Sequence, residues 1–164
     1  KPKNKKTNLR RDYRPQQPQT RSSFILTYSD KLINRPEDAK MNFHDLLVNS
    51  ISPDKAIRDE TLTKIGEYKL QDPGAFITGL VEQLVNENES EDLRQLAGVQ
   101  LKNFISRETD QRLQGVWRNL SGDLRTQIKS AILCLLATPS KKVRNSAASC
   151  VAAIASMEIP NKEW

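Results

Sequence analysis

The chain has 164 residues, of which 37% are hydrophobic and only 5% aromatic, so its core must be built from Leu, Ile, Val and Ala, an inventory that suits helices better than sheets. That length fits one ordinary domain or three to four helix-hairpin repeats. The formal charge of +6 is unevenly placed, with 11 Lys and Arg against 4 Asp and Glu in residues 1–40 and 15 against 16 in the rest, which excludes a basic nucleic-acid-binding face on the later part.

Residues 1–23 combine Lys, Arg, Pro and Gln with almost nothing apolar. Such a segment cannot bury enough surface to offset the entropy of ordering and is expected to be disordered unless a partner holds it. Its two basic clusters, Lys3, Lys5 and Lys6 and then Arg10 and Arg11, resemble a two-part nuclear localisation signal or a polyanion-binding tail over residues 1–14. Residues 24–33 differ: Phe24, Ile25, Leu26, Tyr28, Leu32 and Ile33 make a candidate docking segment, broken by Arg35-Pro36. Residues 1–40 are therefore expected to be a largely irregular basic extension, and 41–164 the folded region.

From Met41 the pattern becomes regular. A first helix carries Phe43, Leu46, Leu47 and Ile51 on one stripe and ends at Ser52-Pro53, where Ser52 is expected to cap the next helix and Pro53 to occupy its first turn. That second helix presents Ile57, Thr61 or Leu62, Ile65 and Tyr68. Asp72-Pro73 repeats the start signal for a third, with Phe76, Ile77, Leu80, Val81, Leu84 and Val85 inward. Ser90 opens a fourth, whose Leu93, Leu96, Ala97, Leu101 and Phe104 step by three and four. After a looser stretch with Leu113, Val116 and Trp117, Ser121-Gly122-Asp123 starts a helix with Leu124, Ile128, Ile132 and Leu135 inward. Thr138-Pro139-Ser140 precedes the last, with Val143, Ala147, Val151 and Ile154.

Connections of a few residues between helices this long make neighbours antiparallel. The expected fold is all-α, three helix pairs over 42–69, 73–106 and 121–157. A closed four-helix bundle gives similar local patterns, and periodicity leaves both architectures open.

Little here points to chemistry. Cys134 and Cys150 lack the spacing of a zinc site or disulfide framework and are expected to be buried, reduced core thiols. His44 is the single histidine; Asp45 beside it points another way on a helix, so a surface or end-packing role is expected rather than that of a base. No phosphate loop, Ser/His/Asp set or carboxylate constellation occurs, so neither catalysis nor a cofactor is expected. No apolar run reaches the roughly 18 residues of a membrane span, and a soluble, reducing compartment is expected.

Leu96-Ala97-Gly98-Val99-Gln100-Leu101-Lys102-Asn103-Phe104 resembles the LAG-x-Q-x-KN segment in the second repeat of the importin-β family. Ala147 to Pro160 followed by Trp164 is similar to that family's third-repeat helix and its E-[IL]-P-x-x-x-W exit, and Phe43 to Leu47 with Ser52-Pro53-Asp54 to its first repeat. The matches cover residues 41–164, and Met41 stands where the family's initiator would fall. The resemblance implies an α-solenoid of about three HEAT-type pairs forming the N-terminal part of a nuclear import receptor that shuttles between cytoplasm and nucleus. Its partner is then the small GTPase Ran in its GTP form, and in the full receptor importin-α or cargo and nucleoporins.

In that family the second helices of the first repeats meet Ran. Asn145, Ser149, Ala152 and Ser156 line one polar, small-residue face of the last helix, and Lys102 and Asn103 lie off the apolar stripe of the fourth. These residues are the expected contacts, with Arg107 and Arg58 as weaker candidates. Two other readings stay open: a nucleic-acid or ribonucleoprotein scaffold that binds through its basic tail, and a HEAT-type adaptor unrelated to transport.

Overall fold

A computed structural model describes residues 42–106 and 115–164, all of which fall in one unit spanning residues 35–164. The expectations for residues 1–41, including the tail clusters and the 24–33 segment, and those for Arg107 and Leu113 lie outside the described residues.

Side-chain caps set where most helices begin. Asn42 accepts from the N–H groups of His44 and Asp45 to open α1 (Phe43–Ser50), and Asp54 accepts from Ala56 to open α2 (Lys55–Gln71). Asp72 accepts from Ala75, with Pro73 as the first residue of α3 (Pro73–Val85), and the Ser90 hydroxyl accepts from Leu93 at the head of α4 (Glu91–Ser106). Gly115, at φ 75°, turns the chain into the short α5 (Val116–Asn119). Ser121 and Ser140 then cap α6 (Gly122–Leu135) and α7 (Lys141–Glu158), and a 3-10 turn follows at Ile159–Asn161. Each such cap is worth about 1 kcal/mol.

The hairpins are antiparallel, as their contacts show. In the first, Phe43 at the start of α1 meets Tyr68 near the end of α2, with ring centroids 5.7 Å apart. In the second, Phe76 early in α3 stacks edge-on against Phe104 late in α4 at 5.1 Å. In the third, Arg125 in α6 reaches Glu163 just beyond α7 at 3.0 Å.

One device recurs in all three pairs. Four residues after the cap of each second helix stands an arginine that donates back to a carbonyl between or at the end of the hairpin's arms: Arg58 to Ser52 at 2.8 Å, Arg94 to Leu84 at 3.0 Å, and Arg144 to Thr138 at 2.7 Å. The carbonyls at a helix end lack intrahelical partners, and a guanidinium satisfies them at a charged-group premium.

Between pairs, first helix packs on first helix, α3 contacting α1 and α6; α7 lies along α4, second helix on second, whereas α2 meets the next pair through α3. This stacking is the solenoid, and the bundle alternative is set aside. The contacts along α4 and α7 run in step, Lys142 on Asp92, Ser146 Oγ on the Gln95 carbonyl at 3.3 Å, and Cys150 Sγ on the Gly98 carbonyl at 3.2 Å. Both residue numbers rise together, so these helices are parallel. Gly98 permits the close approach, since a Cβ there would stand 2.6 Å from Ser146 Cβ.

Several inward assignments are corrected. Ile51 falls beyond the last turn of α1 and is 63% exposed, and Ile57 of α2 is exposed; of the alternatives Thr61 and Leu62 it is Thr61 that is buried, together with Ile65. Ser52 is not the cap of α2. Asp54 takes that place, and the Ser52 hydroxyl instead accepts from the Asp54 N–H at 3.2 Å. Cys134 is exposed, on the far side of α6 from Ile128, Ile132 and Leu135, while Cys150 is buried as expected. Burial pushes the Cys150 thiol up to about 12, against smaller opposing pulls from the Lys102 backbone and ammonium.

Candidate protein-binding surface

Because α4 and α7 are parallel, the positions of their exposed stripes can be compared directly. On α4 the stripe centred on Val99 lies about 100° around the axis from Gly98, and on α7 the stripe of Asn145, Ser149, Ala152 and Ser156 lies about 100° from Ser146, in the opposite sense. Gly98 and Ser146 are where the helices touch. The two stripes therefore face the same side and form one wall.

The wall has a register that the caps define. Five, nine, twelve and sixteen residues past the cap stand Gln95, Val99, Lys102 and Ser106 on α4 and Asn145, Ser149, Ala152 and Ser156 on α7. Thus Lys102 and Ala152 are equivalent, as are Val99 and Ser149. The four α7 residues are exposed, whereas Lys102 and Asn103 are half-buried. Lys102 lies on the α7 side of its helix, close enough to influence the Cys150 thiol. Asn103 is on the opposite flank of the α4 stripe, so the two do not share one contact point.

The hydrogen bonding of the small residues bears on what the wall offers. Ser149 donates its hydroxyl to the Asn145 carbonyl at 2.9 Å, and Ser156 to the Ala153 carbonyl at 2.8 Å. Their protons are spent inside α7, and each hydroxyl oxygen keeps lone pairs for an incoming donor. A Lys142–Asp92 ion pair bridges the head of the wall, and the Asp92 hydrogen bond raises the Lys142 pKa. Arg58 is placed differently from the other candidates: it belongs to the set of three arginines that tie hairpins together.

Comparison with known proteins decides the family. A family model described as the importin-beta N-terminal domain matches residues 69–138. Importin subunit beta-1 of Arabidopsis thaliana is 32% identical over 127 residues, covering 76% of this chain and 15% of that protein. The chain belongs to the importin-β family. A crystal structure of importin beta superposes with a TM-score of 0.69 at 32% identity, over 74% of this chain and 15% of that one. A structure of Kap95p, whose binding induces the switch loops of RanGDP to adopt the GTP-bound conformation, matches at 0.67 and 33% identity over the same shares. The importin-β relatives are far longer: the chain spans about 15% of the length of those it matches.

The exit motif of this importin-β chain proves to be a structural centre that the sequence did not disclose. Glu158 is 1% exposed, accepts from Trp117 Nε1 at 2.9 Å and Lys129 Nζ at 2.7 Å, and lies 3.6 Å from Arg125 Nη1. Lys129 also lies 5.4 Å from the ring centroid of Trp164. The motif's Glu and Trp thus close over two cations of α6. His44 stands apart from all of this, exposed, its Nδ1 3.0 Å from Glu89 Oε1. Among the described residues no group of three or more His, Cys, Asp or Glu is placed to hold a metal ion, and no helix is long and apolar enough to cross a membrane.

Proposed function

We propose that this chain belongs to a nuclear import receptor and binds Ran in its GTP form through the wall of α4 and α7. The observation that carries the reading is the parallel stacking that brings Lys102, Asn145, Ser149 and Ala152 to one side. Kinship with Kap95p, which acts on the switch loops of RanGDP, supports it.

In this mechanism Lys102 supplies a charge for a carboxylate of the GTPase, and Asn103 and Asn145 bridge to its backbone. Ala152 and Ser149 let its surface approach the helix closely. The γ-phosphate orders the switch region that meets this wall, so the receptor gains affinity for one nucleotide state. A hundredfold preference corresponds to about 2.7 kcal/mol. In the full receptor that energy discharges importin-α or cargo on the nuclear side, and contacts with nucleoporins carry the protein between cytoplasm and nucleus. Arg107 is a further candidate contact on sequence grounds, and Arg58 contributes chiefly by holding its hairpin.

A pull-down of the chain with Ran loaded with GTP or GDP tests this. Retention of the GTP form alone, lost in Lys102→Glu and in Ser149→Arg, is the expected result. Equal retention of both nucleotide forms overturns the proposal.

A further inference from the structure

Only two Ser-Pro or Thr-Pro steps occur in the sequence, Ser52-Pro53 and Thr138-Pro139, and each is followed by lysine three places after the hydroxyl residue, Lys55 and Lys141. Proline-directed kinases read this arrangement: an acceptor hydroxyl, proline next to it, and a basic residue three places on. Both steps lie in the turn between the arms of a hairpin, so the sequence cannot rank them. The fold does. Thr138 is 4% exposed, sealed beneath the turn whose carbonyl Arg144 grips. Ser52 is only half-buried, and Ile51 before it and Pro53 to Ile57 after it are all exposed.

We propose that Ser52 is a phosphorylation site for a proline-directed serine/threonine kinase and that Thr138, with the same motif, is not. Several features make Ser52 fit. It is not the cap of α2, so modifying it leaves the Asp54 cap in place. Its hydroxyl donates no hydrogen bond that the fold requires; it accepts one, from the Asp54 N–H at 3.2 Å, and an ester oxygen still accepts. The residue before a proline is held extended, the form in which a kinase cleft takes its substrate. In the transfer, Ser52 Oγ forms a bond to the γ-phosphorus of ATP and the bond from that phosphorus to the β–γ bridging oxygen breaks. ADP leaves, and the hydroxyl proton passes to the kinase's base.

The product is accommodated where it stands. The Arg58 guanidinium is already on the Ser52 carbonyl at 2.8 Å, the Lys55 side chain is 82% exposed, and the start of α2 adds its partial positive charge. Asp54 is the opposing charge within the turn, and Asp59 competes for Lys55 at 3.7 Å. The phosphoryl group thus gains a charge-assisted partner in Arg58 and fastens the first hairpin at its turn.

The test incubates the whole chain with such a kinase, ATP and Mg²⁺, and maps phosphate by mass spectrometry, beside free peptides covering residues 47–58 and 133–144. The expected result is phosphate on both peptides, but in the folded chain on Ser52 more than about tenfold faster than on Thr138, and none at that position in Ser52→Ala. A buried acceptor is reached only through local opening, and each 1.4 kcal/mol of opening cost lowers the open population tenfold. No phosphate on Ser52 in the folded chain, no phosphate on its peptide, or comparable rates at Ser52 and Thr138 would overturn the proposal. None of these outcomes depends on Ran, so failure here is separable from failure of the receptor reading.

Discussion

Replacing Glu158 by alanine should strongly destabilise the third hairpin. The carboxylate is fully enclosed and serves Trp117 and Lys129 directly, with Arg125 beside it. Removing one member of a buried ion pair typically costs 3–5 kcal/mol, because its partners are left charged and desolvated. Here Lys129 and Arg125 keep 18% and 22% of their side-chain surface in water, so the low end applies, about 3 kcal/mol including the orphaned Trp117 N–H. With a urea m-value of about 1.5 kcal/mol/M, the midpoint should fall by about 2 M. Glu158→Gln still accepts from Trp117 and should lose roughly half as much. Glu60→Ala, which breaks an exposed pair with Lys64 one turn away in α2, is the control and should leave the midpoint unchanged. Urea titrations followed by circular dichroism decide the matter: a shift below about 0.3 M for Glu158→Ala would refute the claim that this carboxylate is structurally required.

Two glycines predict opposite outcomes in the same assay. Gly98→Ala places a Cβ 2.6 Å from Ser146 Cβ and forces α4 from α7, so it should destabilise by about 1–3 kcal/mol, whereas Gly66→Ala meets nothing within 4 Å and should stabilise α2 by about 0.5–1 kcal/mol. Arg94→Met should cost more than Arg58→Met in thermal melts, since Arg94 is buried and Arg58 half-exposed while their hydrogen bonds are alike. Iodoacetamide at pH 8 should label Cys134 in the folded protein and leave Cys150 untouched until denaturant is added, as mass spectrometry of digests will show. With its folded-state pKa raised to about 12, Cys150 contributes stability that is complete below its unfolded pKa, near 9, and is lost as pH rises toward 12. Cys150→Ala should flatten that alkaline decline in a melting-temperature series.

Helix stripes were legible in the sequence wherever one helix meets one continuous core. In α3 and α4 nearly every expected position is buried, because those helices have neighbours on several sides. In α2 the stripe is less legible, with Ile57 exposed and Thr61 rather than Leu62 buried, since that helix packs chiefly on α1 and α3 and leaves much of its surface to water. The start of α2 was misjudged because Ser52 and Asp54 are both competent caps around one proline; only the backbone geometry chooses between them. The recurring arginine was visible in principle: Asp54 and Arg58, Ser90 and Arg94, and Ser140 and Arg144 share one spacing, with Ile57, Leu93 and Val143 each just before the arginine. Residue identity along the rest of these helices is too low to bring it out. Glu158 was hidden for another reason, since its partners Trp117, Lys129 and Arg125 are distant in sequence and none carries a pattern that foretells pairing.

The cap-based register gives the residues that hold each hairpin and those that face outward separate positions on the same helix. On each second helix, the arginine four places past the cap holds the hairpin, while the positions five, nine, twelve and sixteen past it face outward. Under the proposed function, neighbouring residues answer to different demands, Arg144 to folding and Asn145 to the partner. Changes at Lys102, Asn145, Ser149 or Ala152 should therefore leave stability within about 0.5 kcal/mol of the parent, as surface substitutions generally do, while altering partner affinity. Changes at Arg94 or Gly98 should do the reverse per folded molecule. Measuring both quantities on both sets separates the two roles, and a wall substitution that unfolds the chain would show that the outward positions carry packing after all.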